Sequence, residues 1–279
     1  MDRTIERVAD GFAFPEGPCF DAQGDLYVTQ LASGWIARVR GGVVEQYVHT
    51  GEAPNGAVFS EDNLLWIAEA GTHQLLRYDG VELAEIAGEC EGQPLRRPND
   101  LVFAPDGSIY MTGPGGSSEE PVGVVYHAQR DGAIEVAAGG MRFPNGLALT
   151  ADASQLLVSQ SALQQILVFE VGADGSLDGP EVFAVTPDVA GADGVALDVE
   201  GNLYVAHFGT GKIAVFSSGG ELLDRLPAGG MKPTNVAFGG PEMMDLYVTE
   251  VVTGSVYRLR PGVAGLRPFC DPRPPGEAP

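Results

Sequence analysis

The chain has 279 residues, and its 44% hydrophobic content is ample for a sizeable core and excludes global disorder. Sixteen Lys and Arg against 38 Asp and Glu give a formal net charge of −22, which argues against an electrostatic grip on nucleic acid or anionic membrane. Three irregularly spaced cysteines, Cys19, Cys90 and Cys270, point to neither a disulfide framework nor a zinc cluster.

The N-terminal "MDRTIERVADGF" lacks the apolar region of a secretory signal, and no run of about 18 apolar residues exists, so a cytoplasmic location is expected. In chain order the first unusual stretch is "FAFPEGPCF", residues 12–20, with a carboxylate between Pro and Gly in an apolar setting. That phrase recurs as "PNG" at 54–56, "PND" at 98–100, "PNG" at 144–146, "ADG" at 192–194 and "PTN" at 233–235, at intervals of 39 to 48 residues.

Each phrase runs into a short apolar stretch and is followed by further β-branched and aromatic runs separated by polar turns. The first unit continues through "LYVTQ", "WIARVR" and "VVEQYV", the second through "LWIAE", "QLLRYD" and "ELAEIA". The third has "IYMTG", "VVYHAQR" and "IEVAAG", the fourth "LLVSQ", "QILVFEV" and "PEVFAV". The fifth has "LYVAH", "KIAVFS" and "LLDRLP", and the sixth "LYVTE" and "SVYRLR". Such runs read as strands, and four per unit at this period predict an all-β, six-bladed β-propeller with four antiparallel strands per blade. "TIERVADGF" is expected to complete the sixth blade, closing the ring by pairing of the chain termini; "GVAGLRPFC" competes for that place. Residues 1–270 thus form one propeller, and the Pro-rich 271–279 a loosely held tail.

The innermost strand of each blade lines the axis, so the six middle residues of the phrases, Glu16, Asn55, Asn99, Asn145, Asp193 and Thr234, fall around one channel mouth. The last residues of the second strands, Gln30, Glu69, Gly113, Gln160, His207 and Glu250, are expected beside them. Pro-Asn-Gly alone is an ordinary turn former, but a turn does not require the change to Glu in the first blade and Asp in the fifth. Two carboxylates and several amide oxygens form a donor set for a hard cation such as calcium, magnesium or manganese. Glu16 and Asp193 balance a divalent charge, and Asn99 and Asn145 add neutral oxygens.

"FPEGP", "RPND", "FPNGLAL", "ADGVALDVEGNLYVAHFGTGKI" and "VAFGGPEMMDLYVTE" resemble, in order, the blade signatures of the regucalcin–gluconolactonase family of six-bladed propellers, over about residues 8 to 268. The resemblance implies a divalent metal held by Glu16, Asn145 and Asp193, with calcium the first choice and zinc, manganese, magnesium or iron(II) as alternatives. It implies hydrolysis of a lactone, a sugar lactone such as gluconolactone in the first instance. Asp193 then doubles as the base acting on water, Asn99 sits at metal or substrate, and Arg97 contacts substrate. Asn55, Glu69 and His207 are expected to touch substrate or set its specificity. A phosphotriester-hydrolysing relative carries an extra Asp three residues beyond the metal Asp, where this chain has Ala196. Hydrolysis of another ester and non-catalytic calcium binding are the alternatives. The expected partner is a small molecule, with no protein partner evident.

Overall fold

β-branched runs punctuated by Asp/Gly turns form, in a computed structural model that describes residues 4–188, 191–240 and 242–273, six sheets of four antiparallel strands each. The innermost strands are Pro15–Phe20, Pro54–Phe59, Leu101–Phe103, Pro144–Leu149, Gly191–Leu197 and Pro233–Gly239. Each packs against the next, and the sixth packs against the first, so the ring closes into the expected propeller. The N-terminal strand Glu6–Asp10 pairs antiparallel with Ser255–Leu259 as the outermost strand of the sixth blade. Ring closure therefore ties the two halves of the molecule together and leaves the sixth sheet no open outer position.

Second strands such as Leu26–Gln30 and Leu65–Glu69 are buried at every position, because neighbouring blades cover both faces. That explains why their sequences alternate only weakly. Large side chains fill the gaps between blades, as where Trp66 meets Phe103 edge to face at 5.9 Å. One feature without a sequence signal is a short extra hairpin, Glu89–Cys90 with Gln93–Pro94, between the second and third blades.

The segment "GVAGLRPFC" does not close the sixth blade. It crosses the far end of the axis instead: Val199 N–H donates to Ala264 O (3.0 Å), Gly265 N–H to Met243 O and Leu266 N–H to Leu197 O (2.8 Å each). Nor does the chain loosen at residue 271. The Asp271 carboxylate, 3% exposed, accepts from the Arg273 guanidinium and lies 3.4 Å from Arg267. Arg273 in turn stacks over Phe20, 4.9 Å from the ring centre. The rest of the expected tail, 274–279, lies outside the described residues.

Candidate active site

In five blades the ladder between the first and second strands is interrupted at the repeated phrase. Register shifts fall between Glu16 and Cys19, Pro54 and Ala57, Pro144 and Leu147, Ala192 and Val195, and Pro233 and Asn235. A bulge here bends the strand and turns a side chain that would otherwise pack between blades toward the axis. The glycine that follows Glu16, Asn55, Asn145 and Asp193 has its own cause. A Cβ on Gly56 would lie 2.8 Å from Asn99 O, and one on Gly146 2.8 Å from Asp193 O, while Gly17 abuts Asn55 O. Only glycine permits this approach of one blade to the next.

The carbonyls of the site residues are gripped by the preceding blade. Thr29 Oγ1 donates to Asn55 O, Gly56 N–H to Asn99 O, Thr112 Oγ1 to Asn145 O (2.7 Å) and Ser159 Oγ to Asp193 O (2.7 Å). The result is a series of inter-blade hydrogen bonds, a hoop that fixes Asn55, Asn99, Asn145 and Asp193 from the blade before each. The sequence signal was a hydroxyl residue at the penultimate position of the second strand.

Glu16, Asn55, Arg97, Asn99, Asn145 and Asp193 all line one cavity of about 390 Å³ at the mouth of the axis. Thr234 and the ends of the second strands lie elsewhere. Thr234 is 1% exposed and its hydroxyl is held by Pro15 O and Thr249; the ladder resumes immediately at Asn235, whose amide reaches the axis in its place. Asn235 Nδ2 donates to Asp100 Oδ2 (3.2 Å) and the side chain also bonds Glu16. Glu69 is fully buried, with its carboxylate taken up by the N–H groups of Glu52, Ala53 and Thr72. Gln30, Gln160 and Glu250 do the same for Ala13, Arg142 and Lys232, so these second-strand ends brace the loops entering each blade rather than facing the mouth. His207 is fully buried and does not line the cavity; its neighbour Phe208 does.

The electrostatics of this mouth are adverse for a site without a counter-ion. Burial, then the charges of Asp193 and Asp100, raise the Glu16 carboxyl well above the ordinary range. Burial and Asp100 raise Asp193 likewise, against the lowering effect of bonds from Asn145 and Gly194 N–H. Burial alone brings Asp100 up to about 6. Beside these carboxylates Asn99 Oδ1 is buried and has no hydrogen-bond partner among the described residues. An orphaned acceptor and mutually repelling carboxylates fit a hard cation, which satisfies the first and screens the second. Among the described residues no group of three or more His, Cys, Asp or Glu side chains could hold an ion, so a cation here needs amide oxygens as well. Cys19 is no nucleophile: burial pushes its thiol far up.

The family model "SMP-30/Gluconolactonase/LRE-like region" matches residues 14–252. The chain is 25% identical to a diisopropyl-fluorophosphatase from Loligo vulgaris, over 97% of this chain and 96% of that one. It is 26% identical to the pentonolactonase XacC of Haloferax volcanii, over 88% and 84% of the two chains. The solved structure of a gluconolactonase from Xanthomonas campestris shares its fold with a TM-score of 0.82 at 28% identity, covering 92% of this chain and 89% of that chain.

Proposed function

Since the chain belongs to the SMP-30/gluconolactonase/LRE-like family, whose members include hydrolases of lactones, we propose that it is a divalent-cation-dependent lactonase. One observation carries the reading: two buried carboxylates, Glu16 and Asp193, face a cavity beside the unpartnered Asn99 Oδ1. Glu16, Asn145 and Asp193 would hold the ion, with Asn99 next to it.

When bound there, a divalent cation supplies polarisation of the ring carbonyl and compensation for the charge that develops on its oxygen. Asp193, fixed through its own carbonyl by Ser159, accepts the proton of a water as the oxygen of that water bonds to the carbonyl carbon. The ring C–O bond then breaks, and its oxygen takes the proton held by Asp193, which leaves a hydroxy acid and restores the carboxylate. Asn99 and Asn145 orient the reactants, and the half-buried Phe14, Phe143 and Phe208 keep bulk water from the cavity walls.

The test is a substrate panel of lactones, aryl esters and a fluorophosphate, run after exhaustive chelation and after return of single divalent cations. Lactone turnover should vanish with chelation and return with the cation. Undiminished turnover without metal would refute the mechanism, and faster hydrolysis of the fluorophosphate would move the protein to the other branch of its relatives. Cation binding without turnover of any substrate would make it a binding propeller.

A further inference from the structure

Three residues on the cavity wall share an unusual backbone. Phe14, Arg97 and Phe143, each immediately before the proline that opens a phrase, have φ of 59°, 56° and 57°. Bulky side chains rarely occupy this left-handed region, and such outliers persist where the surroundings over-determine them. Ala53, Gly191 and Lys232, before the phrases of the other three blades, do not share it. All three left-handed residues line the same cavity, with Leu31, Pro114 and Phe208 continuing the apolar wall above the polar floor.

Polar side chains on this wall are few. Ser161 Oγ is engaged with Ala192 O and Asn145 Nδ2. Arg97 donates its backbone N–H to Leu95 O, but its exposed side chain makes no hydrogen bond or ion pair with any described residue, its stem lying along Gly116. In a chain with a formal net charge of −22, this is the one cation lining the cavity among the described residues.

We propose that the cavity selects a lactone bearing an apolar ring or chain and a carboxylate, with the apolar part against Phe14 and Phe143 and the carboxylate on Arg97. It rests on the lactonase reading above and narrows it away from polyhydroxylated sugar lactones. A sugar lactone carries hydroxyls around its ring. Against this wall they exchange water for phenyl faces and leave their hydrogen bonds unmade, whereas an apolar ring is buried there favourably. A guanidinium fork matches a carboxylate in two bonds and offsets the repulsion of an anion by the acidic molecule.

The experiment compares 5-oxo-2-phenyltetrahydrofuran-3-carboxylate, its neutral analogue 5-phenyl-γ-butyrolactone and glucono-1,5-lactone, in wild type and Arg97→Gln, with cation present. The phenyl carboxylate should exceed the sugar lactone in kcat/KM by about tenfold or more, the scale of single-group discrimination in a pocket. Arg97→Gln should lower kcat/KM about tenfold for the phenyl carboxylate, mainly through KM, and change the neutral analogue less than about threefold. Equal or faster opening of the sugar lactone, or an equal effect of Arg97→Gln on both phenyl lactones, overturns the proposal while leaving the lactonase reading intact. If no lactone is opened, that reading fails, and calorimetric binding of the ring-stable lactams of the phenyl carboxylate and of the sugar still decides the proposal. Tighter, Arg97-dependent binding of the first upholds it; equal binding overturns it.

Discussion

Glu16 and Asp193 are charged groups in a setting that penalises charge, and their substitutions should separate binding from chemistry. On the proposed mechanism, Asp193→Ala removes the proton acceptor and one anionic donor. Lactone kcat should fall at least about a hundredfold, the usual loss on removing a general base, with the circular dichroism spectrum unchanged. Residual turnover within about tenfold of wild type would remove Asp193 from that role. Glu16→Gln keeps shape and one oxygen but removes the negative charge of that carboxylate, so calorimetry should show weaker cation affinity. That Glu16, Asn99, Asn145 and Asp193 meet at one cavity was legible in the sequence because a repeated phrase marks equivalent positions on separate blades. The neighbouring assignments to Glu69, His207 and Thr234 failed for one reason. Which way a side chain points beside a bulge depends on where the ladder resumes, and a shift of one residue exchanges Thr234 for Asn235. For the same reason Phe208, not His207, faces the cavity.

At the level of the strands, the site is positioned by contacts between blades. Gly146→Ala puts a methyl group 2.6 Å from the Gly194 Cα and 2.8 Å from Asp193 O, atoms of the next blade's backbone. It should cost about 1–3 kcal/mol in denaturant unfolding, as over-packing does, and weaken cation binding as well by displacing Asp193. Unchanged stability and affinity would show that the blades can part there freely. Thr112→Val is a gentler probe of the hoop: it leaves Asn145 O without its buried donor and should cost about 1–3 kcal/mol. Strand positions themselves were readable from short β-branched runs between Asp/Gly turns. The hairpin at 89–94 was not, since strands of two residues carry no periodicity.

Over the whole molecule, the carboxylates at the axis impose a pH dependence. Glu16, Asp193 and Asp100 titrate above the free-carboxyl range when folded, Asp100 at about 6. A carboxyl raised on folding favours the fold below its unfolded value near about 4, and that contribution is lost as pH rises through its folded value. Turn carboxylates such as Asp152, lowered to about 2 chiefly by the Ser154 N–H, lose their contribution only as pH falls below about 4. Cation-free protein should therefore unfold at a higher temperature at pH 5 than at pH 7.5, and saturating calcium should raise the pH 7.5 value more. Scanning calorimetry that found the cation-free protein no more stable at pH 5 would contradict this picture of the axis.

The segment 264–273 that crosses the far end of the ring also governs traffic. With Leu266, Phe269 and Arg273 packed against the inner strands there, the segment caps that end among the described residues, and the cavity that holds Glu16 and Asp193 opens at the other. If the protein opens lactones as proposed, an incoming ring and an outgoing hydroxy acid share that opening and compete for it. An inhibitor need only stand in the doorway.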